Sequence, residues 1–185
     1  MTRFPAPIPY ALAIAALLLV GNAALAADCP AFLDHEFQKL HSSQNVNLCA
    51  AYAGKPLLIV NTASHCGYTK QFKGLEALHR KYQARGLVVV GFPSNDFRQE
   101  ARDEAETADV CYVNYGVTFT MLAPSSVKGR DANPVFQELN RRSEEPGWNF
   151  NKYLVSSDGQ VVQHFDSTVT PDSSQLAQAI ETLLR

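Results

Sequence analysis

Residues 56–93 read PLLIVNTASHCGYTKQFKGLEALHRKYQARGLVVVGFP, and this stretch decides the architecture. Pro56 to Asn61 holds a short apolar run without alternation, the pattern of a strand buried on both faces. From Tyr68 to Arg85 the period changes. Phe72, Leu75, Leu78 and Tyr82 recur at helical spacing until Gly86 stops them. Leu87 to Phe92 is a second buried strand, ended by Pro93. Strand, helix and strand of these lengths form a parallel crossover unit with a right-handed connection.

Downstream, Ala101 to Tyr112 can form a helix, with Asp103, Glu104 and Glu106 in the first turn, where the macrodipole favours them. Gly116 to Leu122 is β-rich, and Ser125 to Ala132 reads as a strand remnant or loop. Asn133-Pro134 opens a helix running to Arg142. Lys152 to Val155 and Val161 to Phe165 flank Ser157-Asp158-Gly159-Gln160, a hairpin signal. Thr170-Pro171-Asp172 starts a closing helix whose Leu176, Ile180, Leu183 and Leu184 share one face. The expected fold class is α/β, a thioredoxin-like fold with a mixed β-sheet flanked by helices on both faces.

The chain has 185 residues, enough for one domain, and a formal net charge of −2. Without a basic excess, no nucleic-acid partner is expected. Arg3, the apolar run Tyr10 to Val20 and the small-residue site Ala24-Leu25-Ala26 have the pattern of a signal peptide. The expected division is a signal peptide at 1–26 and a single domain at 27–185. Export follows, with the bacterial periplasm as expected destination and no stable membrane insertion, since the run is short for a span. Four cysteines are present without a C-x-x-C pair, and the histidines show no metal spacing. No cofactor or metal is expected.

Cys66 follows the first buried strand and precedes its helix. Unpaired backbone N–H groups at such a turn favour thiolate over thiol, so a reactive cysteine is physically reasonable there. Position alone equally fits a buried cysteine acting as a small hydrophobe.

Leu58-Ile59-Val60-Asn61-Thr62-Ala63-Ser64-His65-Cys66-Gly67-Tyr68-Thr69 resembles the peroxidatic segment of glutathione peroxidases. Gly91-Phe92-Pro93-Ser94-Asn95-Asp96-Phe97 and Trp148-Asn149-Phe150-Asn151-Lys152-Tyr153-Leu154-Val155 resemble the family's second and third signatures, in the same order. The resemblance implies a peroxidatic cysteine, Cys66, beside neutral donors from Trp148 and Asn149 and a glutamine. The family usually shows Asn-Gln-Phe where this chain has Asn95-Asp96-Phe97. Asp96 is therefore the aligned site residue, although an ionised carboxylate there would oppose thiolate formation. It must be protonated, turned away or bonded elsewhere, and Gln99 or Asn95 are the amides that could replace it.

The resemblance also implies a hydroperoxide substrate and a thiol reductant, either glutathione or a thioredoxin-like protein. Cys111 matches the segment carrying the resolving cysteine of some members, which predicts a Cys66–Cys111 catalytic disulfide. Cys29 and Cys49 lie outside that catalytic set, and export favours a structural disulfide between them. The short loop before Trp148 resembles the family's monomeric members, so a monomer is expected. Two other functions fit the same residues: a redox sensor or transducer using the Cys66–Cys111 disulfide, and a catalytically impaired thioredoxin-like binding module.

Overall fold

The computed structural model describes Met1 and residues 29–185; apart from Met1, the expected signal peptide lies outside the described residues. A 3₁₀ turn, Ala31–Leu33, precedes a hairpin of β1 (Glu36–Gln38) and β2 (Asn45–Asn47) and a short helix α1 (Leu48–Tyr52). There follow β3 (Leu57–Thr62), α2 (Gln71–Tyr82), β4 (Val88–Pro93), α3 (Glu104–Ala108) and β5 (Thr120–Met121). The chain closes with α4 (Pro134–Arg142), β6 (Lys152–Val155), β7 (Val161–Phe165) and α5 (Ser174–Leu183).

All six residues of β3 are buried, because this strand takes the centre of a five-stranded sheet ordered β5-β4-β3-β6-β7. β3, β4 and β5 run parallel, while β6 is antiparallel to both β3 and β7. Side chains of β3 alternate between two cores. Leu58 and Val60 pack with Phe72 and Leu75 of α2 and Leu176 and Ile180 of α5. Leu57 and Ile59 pack with Val135, Phe136 and Leu139 of α4. Each such side chain contributes roughly 1.5–3 kcal/mol on leaving water. The mixed sheet covered on both faces is the thioredoxin-like arrangement that the crossover unit and hairpin imply.

Several boundaries differ from the sequence reading, each for a local reason. α2 begins at Gln71 rather than Tyr68, because residues 66–70 form turns in which Thr69 N–H bonds the Cys66 carbonyl at 3.0 Å. β5 keeps only two residues of the β-rich run, since the Thr118 N–H is taken by the Glu76 carboxylate at 2.8 Å instead of a neighbouring strand. α5 starts after Ser173, whose hydroxyl accepts from Leu176 N–H at 3.3 Å as an N-cap. The expected helix at 101–112 is a single α-turn, Glu104–Ala108, that widens into a π-helical segment, Asp109–Asn114.

The N-terminal segment is tied down twice. Cys29 and Cys49 form a disulfide with Cα atoms 5.7 Å apart. Gly159 of the β6–β7 turn has φ +81°, and a Cβ there would meet Pro30 Cγ at 2.1 Å. Only glycine allows both the turn and the approach of Pro30.

Candidate active site

The loop leaving β3 is held rigid around Cys66. The Thr69 hydroxyl donates to the Ala63 carbonyl at 2.8 Å and accepts from the Cys66 N–H at 3.0 Å. Cys66 is a free thiol, 8% exposed, and the Tyr68 N–H points at its Sγ from 3.4 Å. The sulfur thus lies one turn ahead of α2 and still receives a backbone donor. Its neighbour His65 turns outward, with Nε2 3.2 Å from Glu106 Oε1, so it is not a base for the sulfur.

The second motif departs from the alignment. Asp96 Oδ2 accepts from Val127 N–H at 2.6 Å and Lys128 N–H at 3.2 Å, so its carboxylate is engaged with that loop. Of the three states open to an aspartate at this position, this is the one in which it is hydrogen-bonded elsewhere. The chain then reverses at Arg98, in the left-handed region at φ 57°. This brings in Gln99, whose backbone carbonyl accepts from His65 N–H at 2.9 Å. The Gln99 side-chain carbonyl accepts from Asn149 Nδ2 at 3.3 Å. Gln99 is thereby the amide that joins Asn149 next to the cysteine loop. Gln99 is one of the two amides named from the sequence as able to stand in for the glutamine; the other, Asn95, accepts from Glu100 N–H at 3.2 Å.

Trp148 and Asn149 are held by a buried amide network at the edge of β6. Asn61 of β3 donates Nδ2 to the Trp148 carbonyl at 2.9 Å, and its own carbonyl accepts from Phe150 N–H at 2.6 Å. Ser167 donates its hydroxyl to the Asn149 carbonyl at 2.6 Å. Phe150 sits at φ 63°, a left-handed kink that these bonds over-determine. The Trp148 ring is 40% exposed and rests on Phe97, centroids 5.3 Å apart. Together with Tyr68, Gly147, Asp166 and Ser167 it lines an open depression of about 540 Å³. Asn149 Oδ1 is buried without a protein partner.

Cys111 lies in the π-helical segment, 1% exposed and free. Burial first, and the Glu100 carboxylate second, push its thiol up to about 12. Glu100 binds the two cysteine-bearing segments together. Its Oε1 accepts from the Ser64 hydroxyl of the Cys66 loop, from Thr107 Oγ1 at 2.9 Å and from Ala101 N–H at 2.8 Å. π-helical turns often sit at functional positions, and one here marks a segment whose ladder is already irregular. Among the described residues no cluster of three or more metal-ligating side chains occurs, and no helix is long and apolar enough to cross a membrane.

The geometry has known counterparts. The sequence model described as glutathione peroxidase matches residues 32–140. A glutathione peroxidase-like peroxiredoxin of Chlamydomonas reinhardtii is 48% identical over 137 residues, covering 71% of this chain and 83% of the relative. A glutathione peroxidase of Lactococcus lactis is 41% identical over 139 residues, covering 72% and 87%. Among solved structures, the apo form of Trgpx superimposes with a TM-score of 0.65 at 30% identity, covering 83% of this chain and 95% of that one. Sequence and fold agree across most of the described residues: this chain belongs to the glutathione peroxidase family.

Proposed function

We propose that this protein is a thiol-dependent peroxidase reducing hydrogen peroxide and organic hydroperoxides at Cys66. The observation that carries this reading is the free Cys66 thiol at the carboxyl end of a central parallel strand, tied through the Gln99 backbone to the Gln99–Asn149 amide pair. Amide and indole N–H groups are neutral donors. They can stabilise both a sulfur anion and the alkoxide developing on the leaving oxygen, without a fixed charge. The thiolate attacks the O–O bond of the peroxide, its terminal oxygen is transferred to sulfur, and water or an alcohol leaves after taking up a proton. Cys66 becomes a sulfenic acid. The catalytic residues are Cys66, Gln99, Trp148 and Asn149.

Cys111 resolves the sulfenic acid. Its thiol attacks the Cys66 sulfur, water leaves, and a Cys66–Cys111 disulfide forms; two reductant thiols restore both cysteines and become a disulfide themselves. Cys111 is enclosed and protonated in this conformation, so its segment must open before it reacts. The irregular π-helical ladder supports opening at that place. The reductant is glutathione or a thioredoxin-type protein. The enzyme acts as a monomer after export to the periplasm, removing peroxide there.

One experiment tests the assignment. Reduced protein is mixed with hydrogen peroxide, and Cys66 oxidation is followed alongside consumption of glutathione or of a thioredoxin-type protein. Rapid oxidation of Cys66, and turnover abolished by Cys66→Ser, are expected. A Cys66 thiol inert to peroxide would overturn the reading, and failure of both reductants would leave only a sensor.

A further inference from the structure

We infer that His164 is a positioning residue that locks the Trp148–Asn149 turn by fixing which way the Asn151 side-chain amide faces. The inference rests on the peroxidase reading for its catalytic consequence, though not for its structural one.

His164 lies on β7 opposite Tyr153 of β6, and the two rings stack with centroids 4.7 Å apart. Its Nε2 is 2.7 Å from Asn151 Oδ1. An amide oxygen only accepts, so Nε2 must carry the proton. That hydrogen bond fixes Asn151 in one orientation. Asn151 Nδ2 then donates to the Trp148 carbonyl at 2.9 Å and contacts Ser167 Oγ at 3.0 Å. The Ser167 hydroxyl, accepting from Asn151, spends its own proton on the Asn149 carbonyl at 2.6 Å. The donor sequence therefore runs one way, from imidazole through amide and hydroxyl to the two carbonyls just before the left-handed Phe150. Reversing the Asn151 amide would set its oxygen against the Trp148 carbonyl and its NH₂ against the imidazole N–H. Both contacts would be repulsive. The proton on one ring nitrogen thus secures a second donor on the Trp148 carbonyl, beside Asn61 Nδ2, and the direction of the Ser167 bond to the Asn149 carbonyl.

Charged and titratable groups facing the ring are few. Glu144, in the loop between α4 and Trp148, places Oε2 3.6 Å from His164 Nδ1; Asp166 follows β7; and the Tyr153 phenol donates to the Glu144 carbonyl at 2.8 Å. Burial is the largest influence on the imidazole and holds it below the usual histidine range, against the opposing pull of the two carboxylates. At neutral pH the ring is neutral, with Nε2–H and a bare Nδ1. In acid, Nδ1 gains a proton facing Glu144, and Nε2–H is kept.

The test compares His164→Gln, whose terminal amide can replace the Nε2 donor, with His164→Phe, which keeps the stack on Tyr153 and loses the donor. Trp148 is the sole tryptophan, so its fluorescence reports the turn without any turnover. His164→Phe should raise iodide quenching of Trp148 and slow oxidation of Cys66 by hydrogen peroxide about five- to tenfold, the scale of one lost buried hydrogen bond. His164→Gln should stay within about twofold of the parent in both, the span of a preserved neutral bond. Equal behaviour of the two variants, whether both intact or both impaired, overturns the inference. Should His164→Phe fail to fold, ¹⁵N NMR of the native protein at pH 7.5 decides instead. An Nε2–H tautomer is expected, and an Nδ1–H tautomer overturns the inference. Altered quenching in a protein that never reacts with peroxide would sink the peroxidase reading and leave the positioning role standing.

Discussion

Asn149 donates its side-chain amide to the side-chain carbonyl of Gln99 at 3.3 Å, joining positions 50 residues apart. The bond separates Gln99 from Asp96: Gln99 keeps an N–H₂ donor beside Asn149, and the Asp96 carboxylate is engaged by Val127 and Lys128. Gln99→Ala should slow peroxide oxidation of Cys66 about 10²-fold, the usual effect of losing one transition-state donor. Asp96→Asn should change that rate by less than about threefold while weakening the 127–128 loop, because one backbone donor keeps an acceptor. Stopped-flow fluorescence of Trp148 measures both. Equal losses would give the Asp96 carboxylate the same share in the reaction as the Gln99 amide.

Cys111 should be silent toward alkylation until its segment opens. With its thiol pushed up to about 12, almost none is thiolate at pH 8, and the sulfur is enclosed. Timed iodoacetamide labelling of the reduced protein, read by peptide mass spectrometry, should modify Cys66 well before Cys111. In 8 M urea the two should label at similar rates. Early modification of Cys111 in the folded protein would contradict the enclosed geometry.

Lys152 makes stability depend on pH in an unusual direction. Its side chain is 0% exposed, with Nζ donating to the Val169 carbonyl at 2.6 Å. Burial pulls its pKa down to about 7, and Asp166 only partly opposes this. The unfolded chain, with an ordinary lysine, binds more protons than the folded one from about pH 7 up to about pH 10.4. Stability should therefore rise with pH through this window, by about 2 kcal/mol between pH 7 and pH 9. The penalty is complete below pH 7. Urea unfolding of the parent and Lys152→Met at both pH values checks this; a parallel rise in the variant would assign the effect to other groups.

Replacing Cys29 and Cys49 together by serine should lower stability by about 3 kcal/mol, the chain-entropy value for a loop of this length. The disulfide spans 20 residues and pins Cys29 to α1, which packs against the α4 side of the sheet, away from Cys66. Peroxide oxidation of Cys66 should be unchanged. A matching loss of rate would mean that the N-terminal segment supports the site.

The central elements are legible in the sequence because burial dictates their composition. β3 and β4 must be apolar on both faces, and the Asp158-Gly159 turn announces the β6–β7 hairpin. β1 and β2 are not legible: they are three residues each, largely polar, and are supported from outside by a bridge between Lys39 and Leu122. Cys66, Trp148 and Asn149 stand in recognisable motifs. The amide beside them does not, because which residue of 95–99 reaches Asn149 depends on a backbone reversal at Arg98 that side-chain type does not encode. Nothing in the residue type announces that Lys152 is buried, since lysines are mostly exposed. Its burial follows from one backbone carbonyl, that of Val169, lying within reach of its ammonium group.

Asn61 belongs to the innermost strand, yet its amide and peptide groups hold a turn 87 residues further along. A polypeptide that has been made only as far as α4 owns the sulfur and the Gln99 amide but neither the indole nor the Asn149 amide meant to work with them. It also lacks the antiparallel neighbour that completes the sheet on one side. Chemical competence should consequently switch on in a single step when the part of the chain beyond α4 docks, and shortened translation products should be inert instead of feebly active.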